Sequence, residues 1–372
     1  MATVRILQVL HSMDRGGAEN AIMNYYRHVD RDKIQFDFLL TEPKKCHFED
    51  EITSLGGNVY RVPQLQMIKP FAYLKAVSLF FDNHPEYKIV HSHTSSKSVF
   101  PLWIAKKKGI PVRISHSHNT KSENGLRGWI RNGLKWFLKR VATHFCACGN
   151  EAAIWLYGQK TFNAGKVTVV PNVIECSWFD YNEQTRNKIR SQLQIGDDTI
   201  VLGCVARFSP QKNLSFLIDI FNDFHAKINN SVLLLLGDGD LKEQIVERIN
   251  YHHLENSVLL TGVVPNVSDY EQAMDIYLMP SLFEGLPLSL IEAQISGLKC
   301  FVSTGVPQEA DKTGLVSFIP LEKGSQYWTS HIIKQISYNR RGHLKELQEA
   351  GYDAEVSAIT LQEFYLSTLN GL

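Results

Sequence analysis

Short apolar runs alternate with longer amphipathic segments along the chain. Period-two or continuous apolar runs predict strands over residues 4–10, 34–40, 59–62, 89–91, 112–115, 143–147 and 167–170. Helical spacing predicts helices between them, over 18–28, 48–55, 71–83, 97–108 and 126–141. A strand-helix rhythm of this kind makes parallel β-α-β units. The same rhythm restarts at 199, with strands over 199–205, 232–236, 258–260, 276–279 and 300–302 and helices over 214–226, 241–251, 267–274 and 288–295. Over 352–369, Ala358, Leu361, Tyr365 and Leu369 share one helical face, which predicts a terminal helix packed on the body. No repeat of 20 to 50 residues is present.

Two doubly wound α/β domains follow, because 372 residues exceed the size at which one core stops growing. The expected boundaries are 1–175 and 196–351, joined by a polar linker over 176–195 and followed by the helix over 352–372. With 44% hydrophobic and 21% charged residues, each half can bury a core. The net charge of +1 lacks the positive field of a nucleic-acid binder, so no nucleic-acid partner is expected. The six cysteines show neither a C-x-x-C pair nor zinc spacing and read as reduced core residues. No signal-peptide pattern and no apolar run of about 18 residues is found, so a cytosolic, non-integral protein is expected.

The chemistry concentrates in loops that follow strands. In the stretch from Pro280 to Ala293, a strand leads through Glu284, Gly285, Leu286 and Pro287 into a helix carrying Glu292. Pro287 suits the first helical position, which leaves the amides of Leu288 and Ser289 free. Free amides and the helix dipole make an anion site, bracketed here by two carboxylates. The plain alternative is a capping Glu284 and a solvated Glu292. Arg207 and Lys212 follow the first strand of the second half, where α/β proteins bind ligands. Gly16 and Gly17 follow the first strand of the chain and permit close backbone approach to a phosphate or sugar, or simply a tight turn. His91, His93, His116 and His118 end two successive strand signals.

With both carboxylates in place, the Pro280 to Ala293 stretch resembles the E-x7-E signature of retaining GT-B glycosyltransferases of family 4. The run from Val205 to Asn213, the Gly16-Gly17 loop ending in Glu19, Leu236 to Gly239 and Leu260 to Val264 agree with it in order, over nearly the whole chain. Ala206 and Val173 stand where glycine is common, and the run from Thr304 to Glu309 matches only loosely. The resemblance implies two Rossmann-like domains facing each other across a cleft, the first for the acceptor and the second for the nucleotide-sugar donor. It implies catalytic roles for His118, Glu284, Arg207 and Lys212, and donor contacts from Gly16, Gly17, Gly262, Val263, Gly285, Leu288, Ser289 and Glu292.

On that reading Arg207, Lys212 and the helix end stabilise a departing diphosphate, Glu292 holds the ribose, Glu284 the sugar hydroxyls and His118 the sugar's far side. The implied reaction moves a hexose or N-acetylhexosamine from a UDP-sugar to a glycan or lipid-linked acceptor, with retention and without a cofactor. Asp238-Gly239-Asp240 does form a D-x-D, a metal-holding pattern in another glycosyltransferase fold, but cationic side chains make a metal unnecessary here. The rivals are a sugar-nucleotide epimerase, or a phosphorylase, which would need a pyridoxal-phosphate lysine region; a nucleotide-sugar binder without turnover would keep the same motifs. A further expectation is peripheral contact with an anionic membrane, from the apolar stripe Leu126, Ile130, Leu134, Phe137 and Val141 beside the basic row Arg127, Arg131, Lys135 and Lys139, with Trp129 and Trp136 at the margin. An ordinary helix docked on the sheet is the alternative.

Overall fold

The structure, a computed structural model, describes residues 3–14, 16–66, 70–118 and 126–371, without the side chains of 126–131 and 370. The chain divides into two compact units, 1–174 with 351–372 and 175–350.

The first unit runs β1 (Val4–Val9), α1 (Gly17–His28), β2 (Ile34–Leu40), α2 (Glu49–Ser54), β3 (Val59–Arg61), α3 (Phe71–Asn83), β4 (Ile89–Ser92), α4 (Val99–Lys107), β5 (Val112–Ser117), α5 (Leu126–Val141), β6 (His144–Ala147), α6 (Asn150–Tyr157), α7 (Gln159–Asn163) and β7 (Val167–Val169). Its strands are parallel in the order β3-β2-β1-β4-β5-β6-β7. Both faces are covered, so successive strand residues enter opposite cores. Ile6, Ile89 and Ile114 face α1, while Leu7 and Val90 face α3, α4 and α5.

The second unit runs α8 (Cys176–Phe179), α9 (Glu183–Gln192), β8 (Ile200–Val205), α10 (Leu214–His225), β9 (Ser231–Leu236), α11 (Lys242–Tyr251), β10 (Val258–Gly262), α12 (Val267–Ala273), β11 (Ile276–Met279), α13 (Leu288–Ile295), β12 (Lys299–Ser303), β13 (Val316–Ile319), α14 (Ser325–Gln335) and α15 (Leu344–Glu349). Its parallel order is β10-β9-β8-β11-β12-β13. Helix α10 shows why such segments fold: Leu214, Leu217, Ile218, Phe221 and Phe224 recur at three- and four-residue steps and are all buried. Each is worth about 1.5–3 kcal/mol of transfer free energy.

One expectation changes. The polar stretch over 176–195 is no linker, since it forms α8 and α9 inside the second unit. Its arginines are anchors: Asp275 takes Arg186 at 2.5 Å and the buried Arg190 at 3.4 Å. The terminal helix α16 (Ala354–Asn370) belongs to the first unit, where Ala358, Leu361 and Tyr365 enter the same core as α1. Five cysteines are buried, Cys148 is partly so, and all six are free thiols. No helix among the described residues is long and apolar enough to cross a membrane.

Candidate active site

In each unit the strand order reverses beside the first strand, at β1/β4 and at β8/β11. Connections leaving such a pair run to opposite faces, which opens a crevice at the strands' C-terminal ends.

In the second unit the crevice is built by loops that bond to one another. The amide of Leu282 donates to the carbonyl of Gln211 (2.8 Å), and that of Glu284 to Gly305 (2.9 Å). Ser303 Oγ donates to the Ser281 carbonyl. A Cβ on Gly305 would lie 2.3 Å from the Leu282 carbonyl oxygen, so only glycine lets these two loops meet. Gly305 lies in the stretch that matches the family pattern only loosely, yet it serves the site through its backbone.

Lys212 Nζ meets Glu284 Oε1 at 2.7 Å, with both side chains largely buried. Gln211 Nε2 holds the other side of the carboxylate, Oε2, at 3.2 Å and the Phe283 carbonyl at 2.9 Å. Sequence reasoning missed Gln211; its only signal was its place beside Lys212. Arg207, by contrast, is exposed and 3.7 Å from the exposed Asp240, a pairing weak enough to leave it free for a ligand. Asp238 accepts from Lys242 (3.0 Å) and from the Gly239 amide (2.7 Å), so both carboxylates of the D-x-D have protein partners.

Helix α13 opens directly after this loop. Pro287 stands at its N-cap with extended backbone, one position before the first helical turn in which the sequence placed it. Gly285 lies in the turn ahead of it, and the amides of Leu288 and Ser289 fall in the first turn, where no intrahelical acceptor exists. The Ser289 hydroxyl meets Tyr277, whose phenol donates to the Val205 carbonyl and so ties the helix start to β8. Glu292 lies one turn along, and burial pushes its carboxyl up to about 7. The fully buried Glu271 is also raised, by burial and by the Glu292 charge. Gly262 ends β10 in a left-handed conformation (φ 70°) and accepts from the Gly237 amide; Val263 beside it is exposed.

In the first unit Gly16 caps α1 and Gly17 begins it. The histidines lie on adjacent strand ends, all on the face shared with α1 and α16. His91 and His116 are buried in the core. They are tolerated because they bond to one another: His91 Nε2 to His116 Nδ1 at 3.1 Å, and His93 Nδ1 to His118 Nε2 at 2.8 Å. Desolvation and mutual repulsion hold His91, His93 and His116 well below the usual imidazole range. Desolvation pushes His118 down to about 4, against an opposing upward pull from the Asn172 side chain.

Two family models match the chain. Residues 15–178 match Glycosyltransferase Family 4 and residues 185–311 match Glycosyl transferases group 1. EpsF of Bacillus subtilis (strain 168), named as a glycosyltransferase, is 34% identical over 368 residues, 97% of this chain and 96% of EpsF. The chain is a family 4 glycosyltransferase. Among solved structures, this glycosyltransferase is similar to Anabaena HepE in complex with UDP, with a TM-score of 0.74 and 19% identity over 99% of this chain and all of that one. HepE in complex with UDP-glucose gives a TM-score of 0.73 at 20% identity, covering 99% of this chain and 100% of that one. The glycosyltransferase thus has the GT-B fold.

Proposed function

We propose that the enzyme transfers a hexose or N-acetylhexosamine from a UDP-sugar to a glycan or lipid-linked acceptor in polysaccharide biosynthesis, retaining the anomeric configuration. The observation that carries the reading is the Lys212–Glu284 pair set beside the open start of α13. A cation and free amides meet there, ready for the charge that grows on the diphosphate as the glycosidic bond breaks. Arg207 adds a second, exposed cation. These positive groups do the work a metal would otherwise do, so turnover proceeds without one. Glu284 binds the sugar hydroxyls, Glu292 the ribose, and His118 the sugar; Gly16, Gly17, Gly262 and Val263 approach the donor through their backbones.

Relatives support the substrate class. A relative from Escherichia coli, 28% identical over 229 residues (59% of this chain, 58% of that protein), is named UDP-Gal:alpha-D-GlcNAc-diphosphoundecaprenol alpha-1,3-galactosyltransferase. CapH of Staphylococcus aureus, 24% identical over 98% of this chain and 99% of its own, is named for capsular polysaccharide biosynthesis. The test incubates the purified protein with UDP-glucose, UDP-galactose and UDP-N-acetylglucosamine and a lipid or glycan acceptor extract, and measures UDP release and product anomeric configuration. UDP released with an α-linked product is expected. Stoichiometric binding without release would identify a silent nucleotide-sugar binder, and an altered sugar still attached to UDP an epimerase.

The protein also rests on an anionic membrane surface through α5. Among its described side chains, Leu138 and Val141 are buried, whereas Phe137 is exposed. Leu138 therefore takes the core position assigned to Phe137, and α5 both docks on the sheet and keeps an outer face. That face carries Trp136, 61% exposed, with the Arg140 guanidinium 3.2 Å from its ring centre. Lys135 is held inward, its ammonium donating to the Trp155 carbonyl at 2.6 Å. Leu126, Arg127, Trp129, Ile130 and Arg131 have side chains outside the described residues.

A further inference from the structure

Four histidines of the first unit, His91, His93, His116 and His118, end a hydrogen-bond ladder whose proton order can be worked out from one residue, Gln8. It lies in β1 opposite His91 of β4, and its polar side chain is buried. Its carboxamide Oε1 is 2.8 Å from His93 Nε2, and its Nε2 donates to the Tyr365 hydroxyl at 3.3 Å.

An amide oxygen only accepts, so His93 carries its proton on Nε2 and a lone pair on Nδ1. That lone pair lies 2.8 Å from His118 Nε2, which must therefore supply the proton. His118 is left with a bare Nδ1, buried beside the Asn172 side chain but outside hydrogen-bond geometry with it. The second branch obeys the same rule. Tyr365 receives from Gln8 and gives its own proton to His91 Nδ1 at 2.6 Å, so His91 donates from Nε2 to His116 Nδ1. The proton left on His116 Nε2 then faces the main-chain carbonyl of Val170, outside hydrogen-bond geometry but of the right polarity. Reversing the Gln8 amide would move every proton one step, bare His116 Nε2 toward that carbonyl and put a proton on His118 Nδ1.

The ladder is not a metal cage. Nitrogens of His91, His93 and His116 lie within 4.8 Å of one another, but both nitrogens of His91 and of His93 already have partners. A divalent charge there would also have no carboxylate partner among the ladder residues.

We infer that Gln8 and His93 are positioning residues that hold His118 in its Nε2–H form, so that it offers the donor sugar a lone pair at Nδ1 and no proton. This rests on the sugar contact of His118 proposed above. It narrows that contact: a sugar hydroxyl donates to His118, and the imidazole takes part as a neutral acceptor and not as an acid.

The experiment labels histidine nitrogens with 15N and records long-range proton–nitrogen spectra of the ligand-free protein at pH 7, assigning His118 with the His118→Gln variant. The expected result is a protonated Nε2 and an unprotonated Nδ1 at His118, shifting toward averaged tautomers in Gln8→Met, which keeps the side chain's volume and removes its hydrogen bonds. In the same variant kcat/KM for the UDP-sugar falls about three- to tenfold, the worth of one hydrogen bond, while the Kd of UDP, which has no sugar, stays unchanged. A proton on Nδ1 in the wild type, or an unaltered His118 spectrum in Gln8→Met, overturns the inference. Because the spectra need no ligand, they decide the tautomer by themselves. Unchanged kcat/KM in His118→Ala would instead sink the sugar contact.

Discussion

Lys212 Nζ lies 2.7 Å from Glu284 Oε1, joining the loop after β8 to the loop after β11. The pair is largely buried, so removing one partner strands the other. Lys212→Ala should therefore lower kcat about a hundredfold or more, the usual cost of losing a preorganised charge at a leaving group. Part of that loss comes from a misplaced Glu284. A double-mutant cycle with Glu284→Gln separates the two: strong non-additivity in kcat is expected, and additive losses would show that the residues act independently.

Glu292 should make UDP binding depend on pH. Ribose hydroxyls donate to an ionised carboxylate, and burial lifts this carboxyl to about 7. UDP affinity in the wild type should rise with pH, by up to about tenfold per unit below 7, and level off above it. Glu292→Gln should lose that break, leaving only the titration of UDP itself, as calorimetry from pH 5.5 to 8.5 would show. Stability runs the other way. A folded-state value raised above the unfolded one favours folding fully below the ordinary carboxyl range, and that contribution is lost as pH rises through about 7. The melting temperature of Glu292→Gln should therefore exceed the wild type at pH 8 and match it near pH 5.

Asp275 holds the second unit together at its N-terminal end. It accepts from Arg186, from Arg190 and from the Val201 amide (2.8 Å). Since the Arg190 side chain is only 2% exposed, Asp275→Ala would leave a buried, uncompensated guanidinium. A loss of about 3 kcal/mol is expected. Urea titration with a probe in the second unit measures it, and a loss below 1 kcal/mol would mean that the main-chain carbonyls around Arg190 suffice.

For the membrane surface, changing Arg127, Arg131, Lys135 and Lys139 to Gln should reduce pelleting with anionic vesicles at low salt and leave neutral vesicles unaffected. Each basic residue near such a surface contributes roughly 1 kcal/mol, screened by salt. Because Lys135 is tied to Trp155, a second variant, Trp136→Ala with Arg140→Gln, should lose more per residue than Lys135→Gln. Equal pelleting of all variants would remove α5 from the membrane.

Much of this protein was legible in one dimension. The alternation of apolar runs and helical stripes determined two parallel-sheet domains, because a strand covered on both faces and a helix covered on one leave different periods in the sequence. The loops holding Lys212 and Glu284, and the helix carrying Glu292, were legible too, since each follows a strand and the strands' C-terminal ends form one edge. What the sequence could not decide is partnership across that edge. Gln211 and Glu284 are 73 positions apart, Gln8 and Tyr365 are 357 apart, and only the sheet order β8/β11 and the return of α16 to β1 bring them together. The polar stretch over 176–195 misled for the same reason: Arg186 and Arg190 look solvated along the chain, and their carboxylate, Asp275, comes from 89 and 85 positions further along it. Local pattern determines which face a residue takes, but a buried polar group is stable only with a partner, and folding alone chooses that partner.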